Sequence, residues 1–242
     1  MRSIVVLPTY NEAESIRPYV ASLRAVTDEI ELLVVDDSSP DGTADLVRQL
    51  AVEYAGIRLL VRDEKDGLGA AYRAGFRTVL AEDYDVIVSM DADLSHDPAV
   101  IPTMLGLIEA GADVVVGSRY VAGGGTLNWP FHRRLLSRWG NAYTRTVLGI
   151  HVRDCTAGFR AYRSDVLAAI APETTRAEGY AFLTELIRRL DHGGYRIEET
   201  PIVFTDRTLG SSKMSATIIA ESMWRVTRWA VANRLGRRRR KS

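Results

Sequence analysis

Pairs of carboxylates directly follow two short apolar segments of the sequence. Asp36 and Asp37 follow the first segment, and Asp91 and Asp93 follow the second. Two carboxylates that leave a strand two residues apart can aim their oxygens at one point, and Mg²⁺ or Mn²⁺ takes such oxygen ligands while it binds substrate phosphates. Asp91 and Asp93 are therefore predicted to hold a divalent cation. Asp41, just beyond the first pair, is more typical of a helix cap.

These carboxylates can act at one site only if the strands that precede them end at the same edge of a sheet. In the first half of the chain, short β-branched runs alternate with segments of helical periodicity. This alternation predicts an α/β fold with a mostly parallel sheet flanked by helices, in which ligands gather at the carboxyl ends of the strands. The predicted strands are Ser3–Pro8, Glu31–Asp36, Ile57–Arg62, Asp85–Met90 and Asp113–Ser118, and the predicted helices are Asn11–Val26, Asp41–Tyr54, Gly69–Leu80 and Pro98–Glu109.

The second half of the chain has a less regular pattern. The three glycines at 123–125 indicate a flexible break. The elements after it are expected to extend and cap the same sheet: a helix from about Arg133 to Leu148, a strand at Gly158–Tyr162, a helix at Ala181–Leu190 and a strand at Arg196–Phe204. We therefore predict one domain at residues 1–214, followed by an amphipathic helix and a basic tail at residues 215–242.

The composition is that of a globular protein with a sizeable core. The chain has 242 residues, of which 46% are hydrophobic and 26% are charged. Its single cysteine, Cys155, excludes an internal disulfide and a cysteine metal cluster. No apolar segment approaches the roughly 20 residues that cross a bilayer, so we expect a chain that does not span a membrane.

The C-terminal segment is strongly basic. From Arg207 onward the chain has ten of its 31 basic residues and one of its 31 acidic residues, so the preceding part is acidic overall. The pattern of Ser215–Leu235 predicts an amphipathic helix with Trp224 and Trp229 beside its polar face, followed by the basic run Arg237–Lys241. This combination favours contact with an anionic membrane surface. Two alternatives are packing of the apolar stripe on the domain core and nucleic-acid binding, for which no recognition fold is evident.

Several motifs, in order along the chain, resemble the family 2 glycosyltransferases. A narrower set is similar to the members of that family that make polyprenyl (dolichyl) phosphate mannose. The wider set comprises residues 8–12 (PTYNE), 34–43 (VVDDSSPDGT) and 91–96 (DADLSH); the narrower set comprises 117–120 (GSRY), 133–138 (RRLLSR), 158–160 (GFR), 204–207 (FTDR) and 210–213 (GSSK). The resemblance implies a nucleotide-sugar-binding glycosyltransferase A-type fold with a C-terminal amphipathic helix.

The resemblance also implies roles for individual residues. Catalytic roles would fall to Asp91, Asp93, Arg119 and Arg207, with Asp91 and Asp93 as the metal ligands. The implied nucleotide-sugar-binding residues are Pro8, Tyr10, Glu12, Val35, Asp37, Asp91, Ala92, Asp93, Arg119, Arg207 and Lys213. The implied lipid-phosphate-binding residues are Arg119, Arg133 and Ser137, of which the last two would share one face of a helix. Some relatives carry Gln in place of Ser95, and Arg134 and Arg138 are expected to be solvated surface charges.

The implied reaction transfers mannose from GDP-mannose to a polyprenyl or dolichyl monophosphate with inversion, aided by Mg²⁺ or Mn²⁺. A phosphate monoester has a second pKa near about 6, so the acceptor is its own nucleophile and needs no general base. The residue chemistry does not distinguish mannose from glucose or guanine from uracil. A polyprenyl-phosphate glucosyltransferase that uses UDP-glucose and a non-catalytic nucleotide-sugar-binding subunit therefore stay open. We expect a peripheral protein at the cytoplasmic face of a membrane, with a membrane-embedded partner protein as a further expectation.

The basic tail gives a first testable prediction. Deletion of residues 236–242 removes five basic groups, each of which contributes up to about 1 kcal/mol near an anionic membrane surface. We expect weaker co-sedimentation of the truncated chain with anionic liposomes at low salt. Unchanged co-sedimentation would show that the tail does not contact the membrane.

Overall fold

The computed structural model describes residues 1–206 and 222–231. Its strands are β1 (Ser3–Thr9), β2 (Glu31–Asp36), β3 (Ile57–Val61), β4 (Val86–Ser89), β5 (Val114–Ser118), β6 (Gly125–Leu127), β7 (Arg160–Arg163), β8 (Ile197–Pro201) and β9 (Val203–Thr205). Its helices are α1 (Ala13–Val26), α2 (Thr43–Glu53), α3 (Gly67–Val79), α4 (Ile101–Glu109), α5 (Phe131–Leu148), α6 (Ser164–Ala169) and α7 (Gly179–Gly193). Residues 222–231 are also helical.

The central sheet has seven strands in the order β3-β2-β1-β4-β7-β5-β8. Neighbouring strands are parallel except for β7, which runs antiparallel to both β4 and β5. A second, two-stranded sheet pairs β6 with β9 in parallel. The prediction of a mostly parallel sheet flanked by helices is therefore confirmed, and all five strands predicted in the first half of the chain are present.

The carboxyl ends of β1, β2 and β4 lie at the same edge of the sheet. Thr9 pairs with Asp36 across β1 and β2, and Val6 pairs with Ser89 across β1 and β4. The Thr9 hydroxyl donates to the Asp36 carboxylate at 2.9 Å, which fixes the end of β2. The residues that follow these strands therefore lie next to each other, so the two pairs of carboxylates are at the same edge of the sheet.

Helices cover both faces of the sheet because the central strands are apolar on both sides. In β1, Ile4 and Val6 belong to the core beneath α3 and α7, whereas Val5 and Leu7 belong to the core beneath α1, α2 and α4. Alternate residues of a strand point to opposite faces, so a strand covered on both faces is apolar throughout. Such double coverage leaves the ends of the strands as the open part of the sheet.

Three details of the second half differ from the sequence prediction. The strand predicted at Gly158–Tyr162 begins at Arg160 and is antiparallel. Gly125, predicted to be part of a flexible break, begins β6. The strand predicted at Arg196–Phe204 is divided into β8 and β9, which belong to different sheets. The periodicity of a segment does not determine the direction of its strand or the sheet to which the strand belongs. These pairings therefore depend on tertiary packing.

The C-terminal helical segment, residues 222–231, packs against the domain. Val226 and Ala230 are buried in the core, and the Thr227 hydroxyl lies 2.8 Å from the hydroxyl of Tyr143 on α5. The apolar stripe that we expected to contact a membrane therefore packs on the protein in this segment, while Trp224 is 59% exposed. No helix within the two described ranges is long and apolar enough to span a membrane.

Two glycines in helices offer a matched pair of substitutions. A Cβ at Gly75 would lie 2.5 Å from a methyl carbon of Val6, whereas a Cβ at Gly106 would have no neighbour within 4 Å. Gly75→Ala should therefore lower the free energy of unfolding by about 1–3 kcal/mol through overpacking. Gly106→Ala should raise it by about 0.5–1 kcal/mol because alanine loses less backbone entropy. Denaturant titration of both variants checks the prediction, and equal effects would contradict it.

Candidate active site

A cavity of about 460 Å³ opens at the carboxyl edge of the sheet. It spans the strand order from β3 to β5, so segments distant in sequence contribute to its wall. Its lining includes Pro8, Tyr10 and Glu12 in or after β1, Asp37 and Lys65 after β2 and β3, Asp91, Ala92, Asp93 and His96 after β4, Arg119, Trp129 and Arg133 after β5, and Glu178, Gly179 and Tyr180 at the start of α7. The structure thus gathers most of the residues that the motifs indicated around one cavity.

The part of the cavity beside β2 and β3 has a flat aromatic ring and a buried carboxylate. The Lys65 ammonium lies 3.8 Å from the centre of the Tyr10 ring, a cation–π contact. Asp37 forms an ion pair of 2.7 Å with Arg62. Burial raises the pKa of Asp37, and the positive charge of Arg62 opposes that shift. A ring face beside a buried acceptor suits a base and a ribose.

The loop after β4 holds the second pair of carboxylates. The Asp93 carboxylate accepts a hydrogen bond of 3.1 Å from the backbone N–H of Ser95, which orients it within the turn. The Asp91 carboxylate lies beside Gly158, where a Cβ would approach one of its oxygens to 3.2 Å. A larger residue at Gly158 would therefore crowd Asp91. The GFR motif contributes this glycine, which lines the cavity.

A divalent cation fits the chemistry of this loop. Asp91 and Asp93 offer hard oxygen ligands at the cavity wall. The Ser95 hydroxyl oxygen and both ring nitrogens of His96 are buried and form no hydrogen bond within the described part of the chain, and the nearest carboxylate contact of His96 is that of Nε2 with Asp91 at 3.6 Å. Buried polar atoms normally have partners, and a hydrated cation with a bound diphosphate would supply them. Within residues 1–206 and 222–231, no three His, Cys, Asp or Glu side chains form a metal site, so substrate oxygens would complete the coordination.

Arg119 forms a buried ion pair at the other side of the cavity. Its backbone N–H, Nε and one terminal nitrogen all donate to Asp154 at 2.7–3.1 Å. Burial opposes the charge of Arg119, but the charge of Asp154 outweighs it and raises the pKa of the guanidinium. Arg119 is therefore held cationic and rigid. Its Nε and one terminal nitrogen already donate to Asp154 and Thr156. Few N–H donors of Arg119 are therefore left for the predicted contact with a phosphate.

Arg133 and Ser137 lie on the same face of α5, as their spacing predicted. Arg133 pairs with Asp206 at 2.8 Å and lies 4.1 Å from the centre of the Trp129 ring. The Ser137 hydroxyl accepts a hydrogen bond of 2.6 Å from Tyr120 and keeps its own proton for donation. Both residues line a smaller, mostly apolar cavity of about 100 Å³ that shares Arg133 with the main cavity. A phosphate with an apolar tail suits this junction.

Not every predicted residue lies at the cavity. The Val35 side chain is fully buried in the core, where it packs against α3, so a nucleotide contact of this residue would involve its backbone and stays a prediction. Asp41 precedes Gly42, which is the N-cap of α2, and its carboxylate accepts from the backbone N–H groups of Ala13 and Thr43, the first residues of α1 and α2. Arg207 and Lys213 lie outside the described residues, so their assignments stay predictions.

Sequence reasoning missed several residues of the cavity. Lys65, Trp129, Glu178 and Tyr180 line it but stand in no motif that we recognised. Asp154, the partner of Arg119, was also missed. His96 stood within a recognised motif, and a polar ring after the two predicted metal ligands was a signal that we did not use.

Comparison with known proteins supports the resemblance. A family model described as glycosyl transferase family 2 matches residues 4–171. An undecaprenyl-phosphate mannosyltransferase from Micrococcus luteus is 47% identical over 234 residues, which cover 97% of this chain and 96% of that protein. A polyprenol monophosphomannose synthase from Mycolicibacterium smegmatis is 44% identical over 239 residues, which cover 98% of this chain and 90% of that protein.

Solved structures share the fold. Glucosyl-3-phosphoglycerate synthase from Mycobacterium tuberculosis, in complex with Mn²⁺, UDP and glucosyl-3-phosphoglycerate, superposes with a TM-score of 0.63 at 23% identity, over 98% of this chain and 79% of that chain. A mannosyltransferase from Pyrobaculum calidifontis, in complex with GDP-Man and Mn²⁺, has a TM-score of 0.59 at 20% identity, over 87% of this chain and 58% of that chain. The predicted glycosyltransferase fold is confirmed.

His96 provides a test of the unpartnered nitrogens. Its ring lies between those of Phe159 and Phe204, with centroids 5.3 and 5.1 Å away. His96→Phe removes the polar atoms and keeps an aromatic ring, so it should raise the free energy of unfolding by about 1–3 kcal/mol. Thermal melting should detect a shift of about 2–4 °C for each kcal/mol. His151→Phe, at a side chain that is 95% exposed, serves as the control; a lower melting temperature for His96→Phe alone would contradict the prediction.

Proposed function

The chain belongs to glycosyl transferase family 2, and on that premise we propose that it transfers mannose from GDP-mannose to the phosphate of a polyprenyl monophosphate. The observation that carries this proposal is the identity of 47% and 44%, over nearly the whole length, with two curated polyprenyl-phosphate mannosyltransferases. The cavity supports it, since acidic residues line one side and cationic residues next to an apolar pocket line the other.

The donor would lie along the edge from β2 to β4. Tyr10 would face the base, Asp37 would accept from the ribose or the base, and Asp91 and Asp93 would hold Mg²⁺ or Mn²⁺ on the diphosphate. A bound cation would neutralise the diphosphate and so stabilise it as a leaving group. The backbone of Ala92, between the two carboxylates, would lie next to the nucleotide.

The acceptor would lie between Arg133 and Ser137. Its phosphate is largely a dianion near neutral pH, so it needs positioning rather than deprotonation. A phosphate oxygen forms the new bond to the anomeric carbon while the bond to the diphosphate breaks, and the nucleoside diphosphate leaves with the electron pair. A single in-line displacement inverts the anomeric configuration. Arg119, held rigid by Asp154, would place the remaining N–H donors of its guanidinium beside the two phosphate groups.

The protein would act at the cytoplasmic face of a membrane, as a peripheral protein, because its acceptor is a lipid. The basic tail and the exposed Trp224 support contact with an anionic surface. A membrane-embedded partner protein would keep the enzyme close to its acceptor. Nucleic acid is not proposed as a partner.

A transfer assay tests the proposal. Radiolabelled GDP-mannose and UDP-glucose are each offered with a short polyprenyl phosphate, in the presence of Mg²⁺, Mn²⁺ or EDTA. Label should enter the lipid phase only from GDP-mannose and only with a cation. Transfer from UDP-glucose would instead favour the glucosyltransferase. Failure of both donors, with binding of the nucleotide sugar retained, would favour the non-catalytic subunit.

Asp93→Asn tests the metal assignment. Loss of a carboxylate from the cation site should lower the transfer rate by at least about 100-fold, because several kcal/mol of charge stabilisation depend on the cation. Asp97→Asn is a matched control in the same loop: Asp97 is exposed and caps the 3₁₀ turn Pro98–Val100 through the N–H of Ala99. Full activity of Asp93→Asn would refute the assignment, provided that both variants melt like the parent protein.

A further inference from the structure

One face of α5 carries arginines that the proposed reaction does not use. Arg134, Arg138 and Arg145 stand four and seven residues apart, so they form one stripe along the helix. Arg153 joins them from the loop that follows α5. None of these four side chains pairs with a carboxylate among the residues that the structure describes. Many other arginines of the described ranges do form such a pair.

The stripe lines two grooves that share residues. The first, of about 190 Å³, contains Arg134, Arg138 and Tyr120. The second, of about 410 Å³, contains Tyr120, Arg138, Arg145 and Arg153. Since Tyr120 and Arg138 belong to both, the grooves form one continuous basic surface. We call it the arginine groove, and we define it by Arg134, Arg138, Arg145 and Arg153.

Within the described residues, Arg134, Arg138 and Arg145 form no ion pair with a carboxylate, whereas Arg153 shares a second groove with Asp191, Glu198 and Glu199. Eleven arginines in the described ranges form ion pairs with Asp or Glu. By contrast, α5 contains no acidic residue, and Asp154 is buried and engaged by Arg119. The Nε atom of Arg145 is buried with no hydrogen-bond partner in the part of the chain described. Unpaired arginines gathered along one groove favour an anionic ligand.

An apolar stripe next to the arginines indicates which anion this is. Phe131, Leu135 and Trp139 follow one another at intervals of four residues on α5, and they are 72%, 58% and 54% exposed. On an ideal helix the arginine stripe lies between this apolar stripe and Ser137, and Trp139 also lines the apolar cavity beside Ser137. Exposed aromatic and aliphatic side chains beside arginines are typical of a helix that lies in a membrane interface. A soluble phosphate would not account for them.

We propose that the arginine groove binds the headgroup phosphates of anionic phospholipids while the apolar stripe enters the boundary of the acyl chains. Arginine matches phosphate with paired donors, so the groove suits this ligand better than a diffuse surface charge would. The placement also rests in part on the proposed function: a polyprenyl phosphate has its phosphate at headgroup level, and Ser137 lies on the adjacent face of the same helix. Docking through α5 would then hold the acceptor site at the depth of its substrate. Arg134 and Arg138 are exposed, as expected for surface charges, and the proposal adds a ligand for them.

Vesicle flotation without donor or acceptor tests the groove independently of catalysis. The full chain is mixed with phosphatidylcholine vesicles, with and without phosphatidylglycerol. The variant R138Q/R145Q should bind the phosphatidylglycerol vesicles roughly tenfold more weakly than the parent, since each basic group near an anionic surface contributes appreciably to binding. Both proteins should bind pure phosphatidylcholine equally.

A control variant with the same loss of charge distinguishes binding through the groove from a general effect of net charge on vesicle binding. The variant R48Q/R77Q removes two exposed arginines from α2 and α3, and it should bind like the parent. Equal losses in the two double variants, or no loss in R138Q/R145Q, would overturn the proposal. So would binding of a short single-stranded RNA through the groove, measured by fluorescence anisotropy, without binding to the vesicles. L135Q should weaken binding to both kinds of vesicle. Unchanged binding would overturn the proposal that the apolar stripe enters the boundary of the acyl chains.

Discussion

The buried ion pair between Arg119 and Asp154 connects the parts of the structure on which the candidate site depends. Arg119 follows β5, and Asp154 lies in the loop before β7, so the pair joins segments that are far apart in sequence. Glu199 on β8 accepts from the backbone N–H of Asp154, and Asn141 on α5 donates to Thr156 beside the pair. Removing one partner of a buried pair leaves the other charge uncompensated, at a cost of about 3–5 kcal/mol. The arrangement around the second half of the cavity is therefore fixed by one charge pair.

This constraint separates charges of opposite sign across the cavity. Asp37, Asp91 and Asp93 emerge from the side of β2 and β4, while Arg119 and Arg133 emerge from the side of β5 and α5. A reaction between a diphosphate donor and a phosphate acceptor has to hold two anions together. In the proposed reaction, the acidic side would bind the diphosphate through a cation, and the basic side would bind the acceptor phosphate. In α5, cavity-facing, basic and exposed apolar residues occupy different faces of one helix, so the same element would serve the acceptor and the membrane.

Much of the fold could be predicted because local sequence patterns determine its strands and helices. Each strand of the first half is a short apolar run, and the helices between them follow the helical period. Parallel strands joined by helices have their carboxyl ends at one edge, so the positions of Asp37, Asp91 and Asp93 after strands were enough to place them together. The pairing of Arg133 and Ser137 on one helix face followed from their spacing alone. These patterns predicted only which residues lie close together. The resemblance to a known family then predicted the role of each residue.

The sequence by itself determined which elements form, which residues stand at the strand ends and which family the chain belongs to. Only the tertiary structure decided that Val35 faces the core, that β7 runs antiparallel and that Asp154 neutralises Arg119. It also decided that Arg134, Arg138 and Arg145 on α5 form no ion pair within the described residues, whereas Arg133 on the same helix pairs with Asp206. The physical reason is that burial and charge pairing depend on which distant segments pack against each other. A local pattern fixes the direction in which a side chain leaves its own helix or strand, but not what it meets there.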